Sequence, residues 1–200
     1  MNLDACDFNP AHGVPRLEEQ KRTRLMEMGE FMAIRAKANA HTQLIMDVCY
    51  LTGQRISDVL SIQHSQIKPE GIYFIQQKTG KRLMVTMTPE LQDAIAGAKK
   101  LRKVMCMYLF HPKGKKTRYS YEAIKDSFNR ARDASKVAHC TIHDIRAMAL
   151  THVDASGGDA TALAGHYSKA MTERYIRDRR TTTAIGPSLR HLIDVDAKNG

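Results

Sequence analysis

Nowhere in its 200 residues does the chain hold an unbroken run of about 18 apolar residues, the length a membrane-crossing helix needs. A helical membrane span is therefore not expected. The first residues lack the apolar core of a secretory leader, so an intracellular chain is expected. Cysteine is sparse. Cys6, Cys49, Cys106 and Cys140 form no Cys-x-x-Cys pair, so neither a disulfide framework nor a zinc ribbon is expected, and the thiols are read as reduced. His139, Cys140 and His143 lie close in sequence, but no second ligand pair accompanies them, and no metal is assigned. Internal repeats and low-complexity blocks are absent.

Acidic residues are also in short supply, with 21 Asp and Glu against 31 Lys and Arg, a formal charge of +10. Such a chain is drawn to polyanions, and nucleic acid is the default partner. Its length suits one domain with a proper core.

Residues 1–22 carry Asn9-Pro10, Gly13 and Pro15 followed by mixed charge, and read as a linker; a linker at the start points to a fragment of a longer protein. Apolar residues then recur at helical spacing: Leu25, Met28, Phe31 and Met32 over Leu25–Ala38, and Leu44, Ile45, Val48 and Cys49 over His41–Leu51, with Thr52-Gly53 as a stop. A short helix follows over Arg55–Ile62. Within it Arg55 and Asp58 stand at i and i+3, where the carboxylate can hold the guanidinium or form an ordinary surface pair. Gly71–Gln77 and Arg82–Met87 alternate and predict an antiparallel hairpin, with Lys78 and Lys81 in its turn around Gly80. Thr88-Pro89-Glu90 starts a helix reaching to about Lys103. Met107–Phe110 reads as a short strand. Lys113, Lys115, Lys116 and Arg118 form a basic loop suited to phosphate contact, and Ser120 caps another helix.

Thr141 and Asp144 have capping-box spacing, with Asp in place of the usual Glu or Gln. A helix starting there puts His143 and Arg146 in or near its first turn, where free N–H groups favour an anion; a capped surface helix with solvated His and Arg is the alternative. Gly165 reads as a helix C-cap, Ser168 as the next N-cap, and Tyr175 lies about two turns into the helix that follows.

Each of these elements is weak alone. Together, Thr52-Gly53-Gln54-Arg55-Ile56-Ser57-Asp58, the hairpin Lys78, His143-x-x-Arg146, Gly165-His166 and Tyr175, in that order, closely resemble the tyrosine recombinases, the phage-integrase family. The resemblance covers Asn9 to about Arg180. It implies a mainly α fold with a small antiparallel β-sheet, the integrase catalytic-domain fold, over residues 23–180. Residues 1–22 would then be the linker from a missing N-terminal core-binding domain, and 181–200 a C-terminal tail.

The resemblance also implies site-specific DNA recombination through a 3′-phosphotyrosine intermediate. Tyr175 would be the nucleophile, Arg55 and Arg146 the phosphate clamp and Lys78 the acid at the departing 5′-oxygen. His143 would assist proton removal from the tyrosine, His166 would bond the phosphate, and Asp58 would support Arg55. It implies no cofactor. Its partners would be double-stranded DNA, contacted also by Lys81 and the 113–118 loop, and other protomers in a tetramer on DNA, with the tail either exchanged in trans or folded back on its own domain. The setting would be the cytoplasm of a bacterium or a phage-infected cell. Tyr167 and Ala164 depart from the usual residues beside the Gly-His, and neither change removes a catalytic group. Two other readings are a type IB topoisomerase, which would relax DNA without strand exchange, and a non-catalytic DNA-binding module, which would trap no covalent complex on a suicide substrate.

Overall fold

The computed structural model describes residues 24–101 and 104–165. The linker, the tail, His166, Ser168 and Tyr175 lie outside the described residues. Seven helices and one three-stranded sheet are described: α1 Met28–Lys37, α2 Ala40–Thr52, α3 Ile56–Leu60, β1 Ile67–Lys68, β2 Gly71–Ile75, β3 Arg82–Thr86, α4 Pro89–Lys100, α5 Tyr121–Ser135, α6 Asp144–Ala155 and α7 Ala160–Ala164. The mainly helical fold with a small antiparallel sheet is as the sequence predicts.

Local chemistry sets most boundaries. Asn39, Thr88 and Ser120 each accept a backbone N–H from the first turn of α2, α4 and α5. α2 stops at Gly53, whose φ of 61° is the left-handed conformation that glycine adopts at little cost. α1 begins at Met28 rather than Leu25, because Glu27 and Glu30 close a reciprocal capping box there.

α2 is the central helix. It packs on α4 and α6, while α1 packs along α5. Ile45, Met46 and Val48 from α2, Ile34 from α1, Phe128 from α5, and Ile145 and Met148 from α6 are fully buried in one core. Each such side chain contributes roughly 1.5–3 kcal/mol of burial.

The sheet runs β1-β2-β3, antiparallel throughout, with Tyr73 opposite Met84 and Ile75 opposite Arg82. Ile72 and Phe74 face the core and Tyr73 and Ile75 face out, the alternation of a half-buried strand. Two expectations change. Residues 107–110 make no strand; Tyr108 forms a single bridge to Gln63. β1, two residues long, is too short to leave a periodic signal. Among the described residues, no helix is long and apolar enough to cross a membrane.

Candidate active site

The helix expected from Thr141 begins at Asp144, with His143 in the N-cap position. The Asp144 carboxylate accepts from the Thr141 backbone N–H at 2.8 Å and hydroxyl at 2.9 Å, while the Asp144 N–H donates to the Thr141 carbonyl. These bonds close a turn ahead of the helix instead of capping its first turn. His143 is exposed there. Arg146, in the first turn of α6, points inward and is 1% exposed.

A buried guanidinium needs partners, because its desolvation is costly. Arg146 donates from Nη1 to the Gly53 carbonyl at 2.7 Å and from Nη2 to the Ala164 carbonyl at 3.0 Å. Both acceptors belong to glycine-marked helix ends: Gly53 caps α2, and Ala164 precedes the α7 cap, Gly165 (φ 64°). Such ends leave carbonyls without helical partners. Arg146 therefore ties the Thr52–Arg55 turn to the residue two before His166.

Arg55 is the N-cap residue of α3, two residues beyond Gly53. Its Nη1 is buried with no hydrogen-bond partner among the described residues. A buried donor in this state costs about 1–3 kcal/mol, and an anionic oxygen would satisfy it. Asp58 does not pair with Arg55 among the described residues. It faces inward from α3, 1% exposed, and its Oδ1 accepts the Gln77 N–H at 2.9 Å. One carboxylate oxygen is thus held by the hairpin backbone next to Lys78, while Oδ2 is buried with no hydrogen-bond partner among the described residues.

Lys78 lies exposed in the hairpin turn. The turn folds back on Gln76: the Gly80 N–H donates to the Gln76 carbonyl at 2.7 Å, and the Gln76 N–H to the Lys81 carbonyl at 2.9 Å. Gly80 has φ 67°. Lys113, Lys115, Lys116 and Arg118 are exposed on the loop before α5, and Lys81 is half-buried at the start of β3's approach.

Sequence reasoning missed two residues, Gln54 and Gln76, which are 1% and 0% exposed. The Gln54 amide donates to the carbonyls of Thr52 at 3.0 Å and Leu163 at 2.7 Å. The Gln76 amide donates to Gln54 Oε1 and to the Ala164 carbonyl, both at 2.8 Å, and its Oε1 accepts from the Thr79 hydroxyl at 2.9 Å. A signal for Gln76 did exist. It continues the inward phase of Ile72 and Phe74, and a polar side chain at an inward position needs buried partners. A Cβ on Gly165 would come within 2.6 Å of the Gln76 amide nitrogen, so the close approach requires glycine.

The elements carrying Arg55, Lys78 and Arg146 thus meet at one buried polar junction beside Gly165. The model of the phage integrase family matches residues 15–181. The integrase of Enterobacteria phage P21 is 23% identical over 193 residues, covering 86% of this chain and 50% of that protein. Among solved structures, a lambda integrase dimer bound to a COC′ core site aligns with a TM-score of 0.74 at 22% identity, over 88% of this chain and 54% of that one. A lambda integrase tetramer bound to a Holliday junction aligns at 0.71 and 22% identity, over 84% and 52%. The chain spans about half the length of the curated relatives it matches. With the matched model covering most of its length, the chain belongs to the phage integrase family.

Proposed function

We propose that the chain is the catalytic portion of a tyrosine-type site-specific recombinase, with residues 23–180 as the catalytic domain, 1–22 as a linker and 181–200 as a tail passed to a neighbouring protomer. One observation carries the reading. Arg146 is buried yet anchored on the carbonyls of Gly53 and Ala164, so the Arg55 turn and the residues leading to His166 share one support.

The chemistry follows from the residue types. The Tyr175 hydroxyl attacks the scissile phosphorus, forming a Tyr O–P bond as the P–O5′ bond breaks. A tyrosine titrates near 10 and a histidine near 6.5 in ordinary surroundings, so His143 assists removal of the tyrosine proton. Arg55 and Arg146, joined by His166, stabilise charge on the non-bridging oxygens, as phosphoryl transfer requires. Planar, permanently charged guanidiniums do this without a metal. Lys78 protonates the departing 5′-oxygen. One phosphate ester replaces another, so the reverse attack by the 5′-hydroxyl rejoins the strand without ATP.

The proposed partners are double-stranded DNA and further protomers, in the cytoplasm of a bacterium or infected cell. The basic balance of the chain and the DNA-bound dimer and tetramer of lambda integrase support this. Exposed Lys113, Lys115, Lys116 and Arg118, with Lys81, would contact phosphates.

The test addresses Lys78, whose exposed turn position also suits a merely solvated lysine. Lys78→Ala should slow cleavage of ordinary DNA by roughly 10²–10⁴-fold. A bridging 5′-sulfur leaves without needing the proton and should restore most of the rate. Arg55→Ala and Arg146→Ala should recover far less, because they act on the phosphate oxygens. Lys81→Ala reports the loss of charge at the turn and should respond alike on both substrates. Equal responses of Lys78→Ala and the two arginine variants to sulfur would remove Lys78 as the acid.

A further inference from the structure

Lys78 poses a geometric problem. A general acid must sit within hydrogen-bond reach of the oxygen it protonates. An exposed lysine in a hairpin turn has a long flexible stem and little to hold it. The surrounding bonds address the backbone beneath it. The residues on either side, Gln77 and Thr79, are both tied down: the Gln77 N–H donates to Asp58 Oδ1 at 2.9 Å, and the Thr79 hydroxyl to Gln76 Oε1 at 2.9 Å. Thr79 and Gly80 also donate backbone N–H groups to the Gln76 carbonyl, at 3.3 and 2.7 Å.

Gln76 is therefore the hub of the turn through its backbone and, by the Oε1 that takes the Thr79 hydroxyl, its side chain, whose amide nitrogen reaches into the protein. Its amide nitrogen donates both hydrogens, one to Gln54 Oε1 and one to the Ala164 carbonyl. Gln54 is the residue before Arg55. The Ala164 carbonyl also receives Arg146 Nη2 at 3.0 Å, which fills both lone pairs of that oxygen. Arg146 and the lysine turn thus hang from the same atom, and Arg55 is one peptide away from the second anchor.

We propose that Gln76 is a positioning residue for Lys78: through Gln54 and the shared Ala164 carbonyl it sets the lysine turn in register with the two arginines, and Thr79 transmits that register to the turn. This rests on the strand-transfer reading and adds residues to it. Misplacement of a reacting group by about 1 Å can cost on the order of 10²-fold in rate, and a shell that fixes backbone beneath a mobile side chain limits such misplacement.

A structural role alone would lower every activity together. A positioning role for the acid lowers only those that need the acid, and the bridging-sulfur substrate separates the two. With the full chain, single-turnover cleavage would be measured on oxygen and sulfur substrates for the parent, Lys78→Ala, Gln76→Met, Thr79→Val and Gln76→Met/Lys78→Ala. Gln76→Met should lose about 10–100-fold on oxygen and return to within a few-fold of the parent on sulfur. Thr79→Val keeps the shape, removes the hydroxyl's bond to Gln76 Oε1 and the longer one it accepts from the Lys81 N–H, and should show a smaller loss with the same recovery. The double variant should be no slower on oxygen than Lys78→Ala. If Gln76→Met proves poorly folded by circular dichroism, Thr79→Val carries the test.

Equal losses on both substrates for Gln76→Met and Thr79→Val, with Lys78→Ala still rescued by sulfur, would overturn the positioning role and leave the reaction standing. An additive double variant would do the same. No rescue of Lys78→Ala would remove the lysine as the acid and the positioning role with it, whereas no cleavage by the parent would bring down the strand-transfer reading itself.

Discussion

Tyr175→Phe should bind DNA as the parent does and form no covalent protein–DNA complex. The substitution removes one oxygen and keeps the ring, so packing of the side chain is preserved while the attacking atom is lost. Other strand-transfer defects slow a step; this one deletes the bond that defines the intermediate. The expected effect is complete loss of adduct on a suicide substrate, with binding in a gel-shift assay changed by less than about twofold, well under 1 kcal/mol. A covalent adduct in the Phe variant would remove Tyr175 from the role. Loss of binding as well would mean that the residue shapes the DNA-facing surface.

Arg146 should show the second-largest effect, because in the proposed mechanism the guanidinium that supports the junction is also the phosphate clamp. Its 1% exposure and its bonds to the Gly53 and Ala164 carbonyls mean that Arg146→Ala opens a cavity and strips Gly53 of its donor. The stability loss should be roughly 2–5 kcal/mol. Cleavage should fall further than stability explains, by about 10³-fold or more, since stabilisation of the phosphate oxygens goes too. Arg146→Lys separates the two. It keeps a charge but lacks the planar fork that can reach two carbonyls and an anion at once. Thermal melting should recover in part and cleavage should not. Recovery of cleavage by lysine would mean that only charge is needed at this position.

The chain's local grammar was legible because it depends on near neighbours. Gly53 and Gly165 could be read as helix ends, since only glycine takes those left-handed positions cheaply, and both are capped as expected. Thr88 and Ser120 announced their helices through their own side-chain bonds. Lys78 fell in the turn where alternation of the flanking strands placed it.

Longer-range pairing was not legible. Asp58 at i+3 from Arg55 invited an ion pair, but a three-residue spacing says only that two side chains share a face; the hairpin backbone supplied a competing donor nineteen residues on. Gln76 meets Gln54 across 22 residues and Ala164 across 88, distances no period records. Thr141 and Asp144 did bond, yet they closed a turn before α6, because the same spacing serves a turn and a capping box equally.

The central claim is that Tyr175 exchanges a phosphodiester for a phosphotyrosine without a metal. The most direct measurement incubates the parent chain with a nicked suicide duplex carrying its cognate site, in excess EDTA, and maps the trapped adduct by protease digestion and mass spectrometry. The account predicts a DNA 3′-phosphate joined to the peptide that contains Tyr175. An adduct at another residue such as Tyr167, a 5′ linkage, or cleavage that EDTA abolishes and Mg²⁺ restores would contradict it.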